Sequence, residues 1–302
     1  MMKPVVFILI AALALSPAEA RADSSTGGAF LLSGYGARAA GMAGAVSAVI
    51  DDESALDWNP ARIALARRAG GASFVQLVPG ASLDQAQIAF VTPLTTPAEG
   101  VSRHAVGAML TNLSADIAGM ETYTENHLRA AYAFTPQPVV SVAIAAQLFF
   151  SQSGVAGFDA WGSGVDFAGR VSLSENWDFG VVGKDLFSRY SFDDGRDSEK
   201  ESRVVIGLAT RRLPMLVLSA DVVHQYAAWS RVLVGAESDY IFSHLALRAG
   251  AAFHSAGESR AAVSFGASLR ALDARVVVHY GATIDDEQAF GTTHRVSIGV
   301  RI

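Results

Sequence analysis

The sequence predicts an all-β fold, a transmembrane antiparallel β-barrel of about 14 strands, and three observations carry that expectation. Hydrophobic residues make up 51% of the 302 residues and charged residues only 17%, so the chain places apolar surface somewhere other than a compact core facing water. From about residue 70 to the end, runs recur in which every second residue is apolar, the period of a strand with two unlike faces. Those runs are about ten residues long, the length of a tilted membrane-crossing strand (about nine to eleven) rather than a soluble-sandwich strand (about five or six).

Three segments follow in chain order. Residues 1–22, MMKPVVFILIAALALSPAEARA, have one early lysine, an apolar run over 5–15 and Ala-x-Ala spacing at 18–20 or 20–22. The run is too short to span a bilayer as a helix, and it reads as an export signal removed from the mature chain. Residues 23–69 form an N-terminal segment, Gly/Ala-rich from 28, with Val46, Val49 and Ile50 in one patch at weak helical spacing. Within it Asn59 is a good N-cap and Pro60 a good first helical residue, so NPARIALARR predicts a short helix starting at Asn59. Residues 70–302 are the barrel.

The strands predicted there cover 70–78, 83–91, 103–112, 126–134, 139–151, 160–173, 177–187, 201–211, 214–224, 230–238, 244–253, 259–270, 274–283 and 293–302. The pattern is clearest in SRAAVSFGASLR, where Ala261, Val263, Phe265, Ala267 and Leu269 oppose Arg260, Ser264, Gly266, Ser268 and Arg270. HRVSIGVRI splits the same way, Val296, Ile298, Val300 and Ile302 against Arg295, Ser297, Gly299 and Arg301. An apolar face suits lipid, and a small or charged face suits a hydrated barrel interior. A soluble sandwich with the minority face turned to water stays open on periodicity alone. The connections favour the barrel, since longer, acidic-tipped links alternate with short ones, as external loops alternate with periplasmic turns. The Pro-rich link 92–102 breaks that alternation and predicts a miscounted strand or an irregular wall there. Phe134, Phe149, Phe150, Trp161, Trp177, Tyr190, Tyr226, Trp229, Tyr240, Phe242 and Tyr280 fall near strand ends, where interfacial girdles would sit.

Several chemistries are excluded or weakened. With no cysteine there are no disulfides, thiolate metal sites or lipidated N-terminal cysteine. The net charge of −6 speaks against a nucleic-acid partner. The glycines at 34, 36, 41 and 44 lack the Gly-Lys-Ser/Thr of a phosphate loop and the βαβ setting of a dinucleotide fingerprint. Asp51, Asp52 and Glu53 read as solvated acids at a helix start rather than an acid/base pair or calcium loop. None of the seven histidines has metal-site spacing, so neither metal nor cofactor is expected. A hydrolase would have to draw on Asp193, Asp194, Asp285 and Asp286 beside His294. Charged loop tips are more simply solvated, and no enzyme is expected.

GARAAGMAGA at 36–45, Asp51-Asp52, Ser54-Ala55-Leu56 and Asn59-Pro60-Ala61 together resemble the start of the mature chain in the PorV/PorQ-like family of the FadL-type outer-membrane transporter superfamily. The resemblance continues more weakly through VVGKDLF at 181–187, LSADVVH at 218–224, LVGAE at 233–237, LALRAG at 245–250 and THRVSIGVRI at the end. Ala43, where many relatives have glycine, and Ile302, where such barrels commonly end in an aromatic, depart from it. What it implies is a fourteen-stranded outer-membrane barrel whose N-terminal segment folds into the lumen as a small helical hatch. It also implies an irregular early wall near 92–102 and 112–118.

The function implied is passage of a hydrophobic small molecule such as a long-chain fatty acid. The alternative is a non-transporting barrel that docks or shuttles for a protein secretion system; a purely structural outer-membrane protein is a further one. The implied partners are outer-membrane lipids, with either a hydrophobic ligand or secretion-system proteins. For the gate, the hatch residues Arg38, Asp51, Asp52, Trp58, Asn59 and Pro60 are the candidates. Inward-facing Arg129, Asp166, Arg170, Asp221, Arg248, Arg260, Arg270 and His279 are expected to anchor the hatch, hold a headgroup or merely hydrate the lumen.

Overall fold

The computed structural model describes residues 34–77, 83–95, 100–115, 123–153, 159–200, 202–225, 229–238, 244–254, 260–273, 275–285 and 292–302. The segment 1–22 expected to be an export signal, most of the loops expected to be external, and Tyr226, Tyr240, Phe242 and Asp286 lie outside the described residues. Fifteen strands form one antiparallel sheet: β1 Ala69–Gln76, β2 Leu83–Pro93, β3 His104–Ala115, β4 Tyr123–Gln137, β5 Val140–Gln152, β6 Ala160–Ser174, β7 Trp177–Phe192, β8 Asp197–Ser198, β9 Arg203–Leu213, β10 Leu216–Gln225, β11 Trp229–Ser238, β12 Leu245–His254, β13 Arg260–Ala271, β14 Val276–Asp285 and β15 Thr292–Arg301. The two-residue β8 only flanks β7. The other fourteen pair in sequence order, and β1 pairs with β15, which closes the barrel.

Alternation sorts the residues as the sequence predicts. Ile88, Trp161, Phe265 and Ile298 stand on the outer face and are exposed, while Gln85, Thr111, Gln147, Ser268 and Ser297 on the inner face are buried. A belt of outward apolar side chains has no place in water, and it is the lipid-facing wall of a membrane barrel. The β1–β15 pairing joins the first strand to the last, so backbone donors and acceptors are satisfied within the wall except along the end of β7, where only β8 flanks it.

Two irregularities differ from expectation. The link 94–103 is long because it reaches back into the lumen: Val101 and Ser102 are buried, and the Ser102 amide donates to the Ala64 carbonyl at 2.8 Å. β2 and β3 pair without a register shift, so the wall beside this link is regular. The break lies instead between β6 and β7, where the register shifts twice between Ser163 and Phe167. There Asp185 and Phe187 adopt positive φ, 57° and 55°, backbone that non-glycine residues rarely take. This bulging carries β7 five residues past its predicted end, and its pairing with β9 stops at Lys184–Arg203.

Inside the barrel sits a plug, residues 34–68. It comprises α1 Ala37–Ala40, α2 Ala55–Trp58 and a 3₁₀ turn, Pro60–Ala64. Asn59 caps that turn, its Oδ1 accepting from the Ala61 amide at 3.1 Å, with Pro60 in first position, so the predicted start holds. The helix is shorter than predicted because Leu65 onward runs straight to β1. Tyr35, Met42, Val46, Val49, Ile50, Leu56 and Ile63 are essentially fully buried. The lumen around the plug is therefore packed, not hydrated as the inner-face polarity suggested.

Two of the girdle aromatics also point the other way. Phe149 and Tyr190 face the lumen, the Phe149 ring stacked on His127 at 4.6 Å and on Tyr190 at 5.1 Å. Phe150, Trp161 and Tyr280 do face outward.

Candidate functional site

The plug is seated by charge. Arg38, on α1, donates through Nε and Nη2 to both carboxylate oxygens of Glu237 on β11, at 2.8 and 2.7 Å. Its Nη1 donates to Asp51 at 2.7 Å and Asp52 at 2.8 Å. A planar fork bound on both sides is the arrangement a guanidinium holds most firmly. Burial works against the Arg38 charge, and Glu237, Asp51 and Asp52 outweigh it, holding the guanidinium well above its ordinary pKa. From Glu237 the network continues along the wall to Arg248, Ser268 and His279.

A second anchor centres on Asp57, on α2. It faces Arg129 of β4 at 3.2 Å and Lys184 of β7 at 3.3 Å, and its Oδ2 accepts from the Tyr35 amide at 3.0 Å. Burial raises the Asp57 carboxyl, but Lys184 and Arg129 reverse that and hold it well below the usual carboxylate range. Arg129 also pairs with Asp166 of β6 at 3.1 Å and donates to the Leu56 and Asp57 carbonyls. A third anchor is Asp178 of β7, among Arg170, Arg211 and the plug's Arg62, at 3.4, 2.8 and 3.9 Å.

Hydrogen bonds complete the seat. Asp221 of β10 accepts from the Val46 and Ser47 amides at 3.1 and 2.9 Å. The Asn59 amide group donates to the Ser47 and Gly169 carbonyls at 2.8 and 3.3 Å. The Trp58 indole N–H donates to the Tyr35 carbonyl at 2.8 Å, and the Lys184 ammonium lies 5.5 Å from its ring centroid.

The plug parts two cavities. One, of about 430 Å³, lies at the barrel end where β1 begins and β15 finishes; it is lined by Asp51, Asp52, Glu53, Arg67, Arg270 and His279 among others. The other, of about 190 Å³, lies on the opposite side of the plug, against Trp58, Lys184, Arg203, Leu233 and Arg295.

The predicted residues thus fall into distinct roles. Arg38, Asp51 and Asp52 meet in one network, as do Arg248 and His279; Arg129 with Asp166, Arg170 with Asp178, and Asp221 each hold a different part of the plug. Arg270 lines the larger cavity, and Arg260 opens β13 with its side chain outside the description. The reading of Asp51–Glu53 as merely solvated holds for the exposed Asp51 and is corrected for the other two, because Asp52 is tied to Arg38 and Ser54 and Glu53 is buried against β1 and β15 at Gly71 and Gly299. Asp57, Arg62, Asp178, Lys184, Glu237 and Arg295 were not singled out. Their inward parity on predicted strands was the available signal for the last four.

Among the described residues the hydrolase set does not come together. His294 stands on the outer face beside the Tyr280 hydroxyl, 2.7 Å away, Asp194 pairs with Arg196 at an exposed tip, and the Asp285 side chain lies outside the description. Among the described residues no group of three or more acids and histidines is placed to hold a metal ion.

Glu53 gives the plug a pH dependence. Burial, then the neighbouring Asp52 charge, push its carboxyl from 4.5 up to about 8. The seated plug thus favours the neutral acid: this stabilisation is complete below about 4.5 and is lost as pH rises through about 8, by a few kcal/mol at most. The plug should seat less firmly as pH rises from 5 to 9, read as rising conductance in a planar bilayer, and Glu53→Gln should flatten that rise. An unchanged pH profile in the variant would remove Glu53 from the explanation.

No family model matches the sequence, and no curated protein sequence matches it. Solved structures do. The P. putida toluene transporter TodX is 15% identical, over 90% of this chain and 99% of that one, with a TM-score of 0.64. The monoaromatic hydrocarbon channel CymD is 13% identical over 90% and 98%, with a TM-score of 0.69. A Pseudomonas aeruginosa FadL homologue is 12% identical over 88% and 98%, with a TM-score of 0.61. At such identities the likeness is one of fold.

Proposed function

We propose that this protein is a FadL-type outer-membrane channel that lets hydrophobic small molecules, long-chain fatty acids among them, cross the membrane, with the N-terminal plug as its gate. The observation that carries the reading is a plug held by discrete ion pairs between two cavities, inside a closed barrel with an apolar exterior. A rigid structural barrel needs no such removable centre, and ion pairs around a few residues form a seat that can open and close again. The fold shared with toluene and monoaromatic hydrocarbon channels supports the same reading, and the N-terminal motif supports the PorV/PorQ-like branch. Export by the N-terminal signal and residence in the outer membrane belong to this proposal.

Uptake tests it. In cells lacking their own transporter, the intact protein should raise uptake of a fluorescent long-chain fatty acid. Asn59→Ala with Pro60→Ala removes the cap and its two carbonyl contacts and should change the rate severalfold. Equal uptake with and without the protein would end the transport reading. Recovery of large partners from native membranes in mild detergent would then favour the secretion role.

A further inference from the structure

The cavity of about 190 Å³ is lined by more cations than carboxylates: among the described residues Lys184, Arg203, Arg231 and Arg295 line it, and Asp57 is the one carboxylate. Asp57 is already engaged by Arg129 and Lys184. Arg203 reaches Asp185 only at 3.7 Å, and Lys200 holds that carboxylate more closely, at 2.8 Å.

Arg295 is the extreme case. It is 4% exposed; its Nη1 donates to the Gly34 carbonyl at 2.6 Å, and its Nε has no partner. Among the described residues no carboxylate lies within ion-pair distance of it. The Asp57 charge acts on Arg295 only from beyond contact distance; a buried guanidinium with no carboxylate in contact is costly, and an anion in the cavity would supply that contact, most favourably a carboxylate that matches the fork.

The remaining surface defines the rest of the ligand. Gly34, which accepts from Arg295, also lies flat against the Trp58 indole: a Cβ at Gly34 would sit 2.2 Å from the Trp58 Cζ2. Cation and aromatic face thus meet across one residue. Val205, Val223, Leu233 and Ala252 give the other walls apolar surface. The volume is below the roughly 300–1,000 Å³ of drug-sized sites, too small for a long acyl chain and suited to one ring with a short polar group.

We propose that this cavity binds a small aromatic carboxylate, its ring on Trp58 and its carboxylate on Arg295 and Arg203. This rests on the channel reading and goes beyond it, since the cavity takes a charged ligand smaller than a long-chain fatty acid. A neutral hydrocarbon would fill the apolar walls but leave Arg295 unpaired.

Titration calorimetry on the full mature chain in detergent tests it, with sodium benzoate as probe and toluene, benzyl alcohol and sodium chloride as comparators. Benzoate should bind saturably, and at least tenfold more tightly than toluene or benzyl alcohol. Arg295→Gln should weaken benzoate at least tenfold, and Arg295→Lys should restore part of the loss. Closed-state conductance in a planar bilayer verifies that the plug of each variant is still seated. No benzoate binding at millimolar concentration would overturn the proposal. So would toluene or benzyl alcohol binding as tightly as benzoate to the unsubstituted protein, a comparison that holds even if the variants fail to fold. Chloride displacing benzoate at equal concentration would overturn the aromatic part and leave a simple anion site. These measurements need no membrane passage, so their failure and the failure of the uptake experiment are separable.

Discussion

Arg38→Ala should open the barrel. The substitution removes four hydrogen bonds to carboxylates at once, and their weights differ. Asp51 is 48% exposed, so its pairing is worth little. Glu237 is 11% exposed and takes both arms of the fork, and removing one partner of such a pair costs on the order of 3 kcal/mol. Arg248 still faces Glu237 in the variant, which keeps the cost below that of a fully orphaned carboxylate. Because the two bonds to Glu237 join plug to wall, the two to Asp51 and Asp52 lie within the plug, and none is part of the wall, the loss falls on seating and not on the barrel. A planar bilayer should show a roughly hundredfold rise in open probability, with the same heat-stable barrel on a gel. Arg38→Lys, a point charge without the fork, should fall between the two. Conductance unchanged from the intact protein would mean that the plug is held elsewhere.

How far these sites can be read from sequence depends on what sets each position. A period of two is a local property, so the faces of β13 and β15 follow from SRAAVSFGASLR and HRVSIGVRI without any neighbour. The inward placement of Arg129, Asp166, Asp221 and Arg248 follows for the same reason, and the Asn-Pro pair marks its turn because a cap is a local bond. Pairing across the lumen is not local. Arg38 and Glu237 are 199 residues apart, and only barrel closure brings β11 beside α1. The β6–β7 break was hidden because Asp185 and Phe187 have no glycine to announce their positive φ. The apparent irregularity at 92–102 misled for a related reason, since a link that turns inward to hold Ala64 looks like a misplaced loop until the plug is present. Glu53 was misread because adjacent acids are solvated wherever no wall covers them.

Glycines on the inner face show the same limit and give the sharpest test. On predicted strands they look like small residues beside lumen water, whereas several stand where plug backbone touches wall. A Cβ at Gly250 would lie 2.4 Å from the Met42 carbonyl carbon and 2.7 Å from the Ala43 nitrogen. Both are main-chain atoms, so no side-chain rotation relieves the clash, and Gly250→Val should cost more than about 3 kcal/mol of plug seating. The wall itself should tolerate the change, because valine favours a strand and Gly250 keeps its pairing with Gly235 and Ser264. Trypsin should then cut at Arg38 and Arg62, which are protected in the seated plug, while the barrel stays folded. Gly70→Ala is the control: its added Cβ would make only ordinary contacts, 3.6 Å from the Ala89 carbonyl and the Phe90 ring, and cleavage should not change. Equal protection of Gly250→Val and the unsubstituted chain would mean that the plug does not press against β12, and with that the close-packed seat, and the gate proposed on it, would fall.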